Sequence, residues 1–350
     1  MRFYALDVMR FGAALAVVLY HFTYRPETGQ LTAISGMTKF GYLGVPLFFI
    51  ISGFVICASA QNRSPLGFAV SRFARLFPAY WVGVSITAIT VLAIDGGGVT
   101  LTQYLANLTM LNDYLGIQNI DEVYWTLHAE IKFYACVFLL LVSGVFHRYK
   151  TWLTIWLGLV LAHMLFMQPF FLGWFISPSY SALFISGIVF FLLRKDGWDW
   201  HYVFILAIAL GVASMNTIVQ AEAFLHEASA ADKTVAMLLV WSFYGIFALL
   251  VMGRLEVRHR RSLLILGGLT YPMYLIHGRA GKAFIDEAQT LMPEYMAIIL
   301  AVVLVAGISV LIHFLVERRY ATPLKKALLT AIAKLERLPK SVRAIQFVRR

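Results

Sequence analysis

The stretch "LDVMRFGAALAVVLYHF" places Arg10 and His21 inside an otherwise apolar run. An ionisable side chain in a lipid-spanning helix costs free energy, so it belongs on a face turned toward a bundle interior or a water-filled cavity. Eleven residues separate the two. At about 100° per residue that is about three full turns, so both lie on one helix face, roughly 16 Å apart along the axis. Asp7, three residues before Arg10, shares that face and can pair with it. An unperturbed imidazole titrates near about 6.5, which makes His21 a candidate proton acceptor or nucleophile at neutral pH. Taken alone, the pair is explained equally well by an interfacial histidine satisfied by a neighbour and an arginine anchoring the inner boundary.

Three further stretches carry groups of the same kind. In "SRFARLFPAYW", Arg72 and Arg75 form a fork of fixed cations at a membrane face, suited to bidentate binding of phosphate. Two arginines at an inner boundary also satisfy the ordinary charge bias of membrane loops. In "VYWTLHAEIKFYACVFLL", Glu130 opens an apolar segment with Trp125 and His128 before it and Tyr134 one turn later. A carboxylate entering lipid needs a partner, while Trp and Tyr at such a place fit an interfacial belt. In "TYPMYLIHGR", Pro272 interrupts backbone bonding next to Tyr271 and His277, and such irregularity must face protein or water.

The elements that must position these groups are membrane spans. Of the 350 residues, 60% are hydrophobic and 13% charged, with a mean hydropathy of +0.76; a soluble domain carries about 25% charged residues. The apolar residues fall in blocks long enough to cross about 30 Å of hydrocarbon. We expect an all-α polytopic protein of ten spans, near 5–22, 43–60, 78–94, 130–146, 152–167, 178–193, 201–218, 234–252, 263–281 and 296–316. No cleavable signal is expected, since the first apolar segment lacks a small-residue cleavage site.

With the N-terminus inside, most Lys and Arg fall in the loops 61–77, 147–151, 194–200 and 253–262 and in the tail from 317. The outer loops 23–42, 95–129, 168–177, 219–233 and 282–295 hold Arg25, Lys39, Lys233 and Lys282, together with acidic residues such as Asp95, Asp113, Asp121 and Glu222. The positive-inside rule therefore expects both termini in the cytoplasm. The net charge of +11 follows the loops rather than forming a nucleic-acid footprint. The organisation expected is a transmembrane domain over 1–320 and a basic tail over 321–350, in which "TPLKKALLTAIAKLERL" reads either as an amphipathic helix on the inner leaflet or as a solvated tail. The long outer loop 95–129 has apolar residues at roughly helical spacing. Cys57 and Cys136 lie in apolar blocks and read as small buried residues, and no metal site is expected from the scattered histidines.

Taken in order, these stretches resemble the motifs of the acyltransferase-3 family of membrane O-acyltransferases. "LDVMRFGAALAVVLYH" resembles the opening Arg, ten residues, His. "GYLGVPLFFIISGFVI" is similar to the second-span signature of spaced glycines, Phe-Phe and Ser-Gly-Phe. "RFARLFPAYW" matches Arg-x-x-Arg before Pro-x-Tyr-Trp, "YWTLHAEIKFY" matches Trp-Ser-Leu-x-x-Glu-x-x-Phe-Tyr, and "LTYPMYLIH" matches Ser-Tyr-Pro-x-Tyr-Leu-x-His. Thr126 and Thr270 stand where serine is commoner, which keeps a hydroxyl. The opening segment is most similar to members that decorate exopolysaccharides.

The resemblance implies transfer of an acyl group, from acetyl-CoA or another short acyl-CoA, to a hydroxyl of a lipid-linked or exported glycan at the bacterial inner membrane. It makes His21 the essential residue as general base or acyl carrier and Arg10 its motif partner. Arg72 and Arg75 become contacts of the donor. Glu130 would orient the imidazole or bind sugar hydroxyls, and Trp125, Tyr134, Tyr271 and His277 would contact the acceptor. Two other classes fit polar residues in spans: a transporter or flippase of a lipid-linked sugar, and a scaffold of a glycan-export complex. The ordered motifs favour the enzyme.

Overall fold

The computed structural model describes residues 3–24, 34–94, 98–166, 177–258 and 260–337. Arg2, Arg25, Asp95, most of the expected outer loop 168–177 and the tail beyond residue 337 lie outside the described residues. Every regular element among the described residues is helical. In chain order these are α1 (Tyr4–Thr23), α2 (Ser35–Thr38), α3 (Gly44–Ala60), α4 (Pro65–Ile94), α5 (Leu101–Leu108), α6 (Trp125–Val142), α7 (Tyr149–Phe166), α8 (Pro178–Asp196), α9 (Trp200–Phe224), α10 (Ala230–Val251), α11 (Arg261–Ile276), α12 (Arg279–Ala288), α13 (Glu294–Ile312) and α14 (Arg318–Arg337).

Local chemistry explains several boundaries. Asp199 accepts from the His201 N–H at the start of α9, and Ser229 with Asp232 forms a reciprocal capping box at the start of α10. Pro178 opens α8, where its missing N–H costs nothing.

Eight helical stretches among the described residues are long and apolar enough to cross a membrane: Tyr4–Thr23, Ser35–Ala60, Pro65–Ile94, Glu122–Val142, Tyr149–Phe166, Trp200–Phe224, Ala230–Val251 and Glu294–Lys334. They occupy eight of the ten expected positions. The other two are held by α8 and by the shorter apolar helix Ser262–Ile276. Leu238, Trp241, Ile299 and Val303 point outward and are exposed, which suits a lipid-facing surface and not a watery one. The chain is a multi-pass integral membrane protein.

Three expectations are corrected in detail. The third span starts at Pro65 rather than at Pro78, because burial of Phe68, Val70, Ala74 and Leu76 keeps the helix continuous through the proline. Arg72 and Arg75 therefore sit on a helix, not in a loop. The fourth span begins at Trp125, so Glu130 lies in its second turn. The ninth ends at Ile276, and the chain breaks at Gly278 (ψ −108°) before α12. The outer loop does contain helix α5, capped by Thr100.

Helix α8 is the hub of one half of the molecule, packed against α3, α7, α9 and α10. Its closest approach is to α3, where Gly53 meets the Phe184 carbonyl and Gly187 meets the Ile50 carbonyl; any Cβ at either position would collide with backbone. Small residues allow such contact where no water drives helices together. A second apolar cluster gathers parts of α1, α4, α11, α12 and α13 around Tyr80, Val84 and Leu275. Helices α1 and α6 contribute to both clusters and so line the seam between them.

Gly187→Val is expected to destabilise the protein by about 2–3 kcal/mol through overpacking against the α3 backbone. Gly158→Ala, in the interior of α7 where a new Cβ has nothing within 4 Å, should leave stability unchanged or raise it by up to about 1 kcal/mol. Thermal unfolding of both variants in detergent, beside the wild type, checks this.

Candidate active site

A cavity of about 1110 Å³ occupies the seam, walled by α1, α3, α4, α6, α11 and the turn after α13. Helix α3 lines it from Val45 to Ser59, so it follows that helix for about 21 Å at 1.5 Å per residue. Five guanidinium groups line it (Arg10, Arg63, Arg72, Arg75 and Arg318) against two carboxylates, Asp7 and Glu130. That excess of fixed positive charge suits a polyanion, and Arg72 Nε is buried with no hydrogen-bond partner. Arg63, Arg72, Arg75 and Arg318 gather at one end, beside the C-terminus of α3. Val45, Phe48, Thr126 and Tyr274 form the opposite end.

Glu130 is held inside the cavity. Its Oε1 accepts from Ser52 Oγ at 3.1 Å and from Tyr134 OH at 2.5 Å, the latter one helical turn along α6. Tyr271 OH donates to the Leu76 carbonyl at 3.2 Å, fixing α11 to α4. Below them, α13 passes into a π turn (His313–Glu317), a local widening that recurs at functional sites. There His313 Nδ1 lies 2.7 Å from Glu317 Oε2, while Glu317 Oε1 has no hydrogen bond and lies 4.0 Å from Arg75 Nη1.

His21 and His277 face each other with ring centroids 5.2 Å apart. His277 is fully buried and its Nδ1 is 2.8 Å from the Tyr274 carbonyl. Because a carbonyl only accepts, Nδ1 carries the proton and neutral His277 presents Nε2 as an acceptor; that atom is buried without a partner. Neither histidine lines the cavity. Tyr274 does, and its ring is 5.3 Å from that of His277. Tyr274 thus links the cavity wall to His277, and His277 touches His21.

The expected site residues thus fall into three groups. Arg10, Arg72, Arg75, Glu130, Tyr134 and Tyr271 share the cavity, His21 and His277 form a pair beyond its end, and Trp125 belongs to neither. Trp125 packs 4.9 Å from Tyr180 and 6.3 Å from Phe49 in an aromatic cluster. His128 is buried, with Nδ1 4.0 Å from Asp113. No group of three His, Cys, Asp or Glu side chains among the described residues is placed to hold a metal ion.

The segment before α6 is stapled to the break after α11. Tyr274 OH donates to the Val123 carbonyl (2.7 Å) and Tyr124 OH to the Leu275 carbonyl (3.0 Å); Asp121 Oδ2 accepts from the Arg279 N–H (2.7 Å). Gly278 is needed here, since a Cβ would strike the Asp121 carboxylate. This staple sets the height of His277 against His21.

With that geometry in view, comparison with known proteins identifies its setting. The family model described as an acyltransferase domain matches residues 3–317. The chain belongs to the acyltransferase-3 family. It is 24% identical to acyltransferase MdmB of Streptomyces mycarofaciens over 78% of this chain and 77% of that protein. It is 28% identical to nodulation protein 10 of Rhizobium leguminosarum bv. viciae over 41% of this chain, and 31% identical to exopolysaccharide production protein ExoZ of Rhizobium meliloti (strain 1021) over 27%. Those two matches span 45% and 32% of the relatives' own lengths. No solved structure matches the chain significantly.

For this acyltransferase-3 member, sequence reasoning passed over Ser52, Asp121, the His313–Glu317 pair and the arginines Arg63 and Arg318. Ser52 stands in the Ser-Gly-Phe signature. His313 and Glu317 are an ionisable pair four apart at the end of an apolar run, which was a signal in plain view. Asp121 carries no local signal at all.

Burial pushes the Asp121 carboxyl up to about 6, against the backbone N–H groups of Arg279 and Val123 and the charge of Lys282. A carboxyl raised in the fold favours folding while protonated, so its contribution is present below its ordinary value near 3.8 and is lost as pH rises through about 6. The melting temperature of the wild type should fall from pH 4 to pH 6.5 by more than that of Asp121→Asn, which has no such proton. Parallel melting curves across that range check it.

Proposed function

We propose that this protein transfers a short acyl group, acetyl in the simplest case, from acyl-CoA to a hydroxyl of a lipid-linked or exported glycan. One observation carries the reading: an arginine-lined cavity runs for about 21 Å toward a wall behind which two histidines stand. CoA is a polyanion with a long thin arm ending in a thioester. Its phosphates suit Arg63, Arg72, Arg75 and Arg318 at one end of the cavity, and its arm suits the apolar stretch along α3. We place both termini in the cytoplasm and the chain in the bacterial inner membrane, which brings the arginine end to the compartment that holds CoA. Helix α14 then lies along the inner leaflet, its lysines toward anionic lipid.

In this reading the acceptor hydroxyl attacks the thioester carbonyl carbon. A C–O bond forms, the C–S bond breaks, and the hydroxyl proton passes by way of His21 to the departing thiolate. His277, with Nε2 free to accept, steadies the His21 imidazole. Arg10 and Glu130 act within the cavity: Arg10 offsets negative charge on the donor, and Glu130 balances Arg10 while holding Ser52 and Tyr134. If His21 instead takes the acyl group itself, a C–N bond to the imidazole forms as the C–S bond breaks, and the hydroxyl then displaces the imidazole, forming the C–O bond as the C–N bond breaks. Similarity to an exopolysaccharide production protein, ExoZ, and to an acyltransferase, MdmB, supports the glycan acceptor and the transferase class respectively.

Mass spectrometry of surface glycans from cells with the wild-type gene, a deletion and His21→Ala tests the reading. A mass difference of one acyl group should disappear in both the deletion and the variant. Undiminished acylation with a well-expressed His21→Ala protein would sink it. Intact-protein mass after incubation with acetyl-CoA separates the two roles, because only an acyl carrier gains one acyl group that His21→Ala fails to gain.

A further inference from the structure

The end of the cavity nearest the histidines is closed by two rings held very differently. Tyr274 is fixed: its hydroxyl lies 2.6 Å from Thr126 Oγ1 and donates to the Val123 carbonyl at 2.7 Å. Phe48 has no polar atom, is only half-buried, and makes its one ring contact among the described residues edge-on to Tyr274, at 6.3 Å. Its neighbour Phe49 shows the contrast. That ring is buried and wedged among Trp125, Tyr180 and Phe184. Phe48 packs at the edge of both apolar clusters, and of the rings at this end it is the one that can turn without breaking a hydrogen bond or an aromatic cluster.

We propose that Phe48 is the gate between the cavity and the histidine pair, and that its size sets the length of acyl chain the protein accepts. The inference rests on the acyl-CoA reading above. A thioester carried along the cavity reaches His21 only past the Phe48–Tyr274 wall, and since Tyr274 is anchored, Phe48 turns aside. The acyl tail then occupies the volume from which the ring withdrew. A two-carbon tail fits beside the displaced ring; each added methylene competes with it. One methylene in an apolar site changes discrimination by about ten-fold or more, so a six-carbon tail is strongly disfavoured while the ring is present.

The test measures dissociation constants of free CoA, acetyl-CoA and hexanoyl-CoA for the detergent-solubilised full chain, as wild type, Phe48→Ala and Phe48→Trp. The wild type should prefer acetyl-CoA to hexanoyl-CoA by ten-fold or more. Phe48→Ala should shrink that preference at least ten-fold, read as the acetyl-to-hexanoyl ratio so that any change shared with free CoA cancels, and Phe48→Trp should keep or widen it. If Phe48→Ala does not give a monodisperse protein, Phe48→Leu takes its place with a smaller shift in the same direction. An equal acetyl-to-hexanoyl ratio in all variants that still bind free CoA overturns the inference and leaves the acyl-CoA reading standing. A wild type that binds none of the three ligands overturns that reading, and the inference falls with it.

Discussion

Glu130 stands in the seam where five guanidinium groups converge, and its carboxylate is held from two helices by Ser52 of α3 and Tyr134 of α6. Cations gathered in a low-dielectric interior repel one another and lose hydration, so some fixed negative charge has to be built in beside them. Glu130 and Asp7 supply it on the cavity wall, and Glu317 supplies it beneath Arg75. These three carboxylates lie on α6, α1 and the turn after α13, which ties the seam together electrostatically from three sides. The compensation is incomplete by design of the lining, and that residual positive charge is what a phosphate-bearing ligand would neutralise.

Apolar packing holds the seam open at a fixed width. Helix α8 grips α3 backbone to backbone through Gly53 and Gly187, and α1 approaches the start of α3 nearly as closely where Gly41 and Gly44 meet the Ala16 and Ala13 carbonyls. The glycines of the second-span signature therefore serve packing, while Ser52 within the same signature serves charge. One short stretch of sequence answers to two physical demands, and only the structure separates them.

Much of this was legible from the chain alone. Hydropathy placed the spans, and the spacing of Arg10 and His21 correctly put both on the inward face of α1. What spacing could not give was which polar residues share a chamber. Arg10 and His21 lie on one face, yet Arg10 lines the cavity and His21 does not, and His21 meets His277, a residue more than 250 positions away in sequence. Trp125 reads in sequence either as an interface anchor or as a sugar contact. Its partners Tyr180 and Phe49 come from α8 and α3, out of reach of any local pattern. Helix ends were misjudged where tertiary burial overrode a proline, as at Pro78, or where a distant carboxylate demanded a glycine, as at Gly278.

The contact of α1 with α11 has a consequence for how the protein is made. Asp7 is buried against Gly267, so the face of the first helix that bears Asp7 and Arg10 finds its partner only when a segment about 260 residues later has been synthesised. Until then a helix carrying two charges must wait at the insertion machinery or in the company of other chains, because lipid alone is a poor host for it. Helices α3 and α8, by contrast, carry their matching surfaces from the moment both exist. The chamber of arginines, walled by both α1 and α11, is therefore complete only once these two distant segments have met.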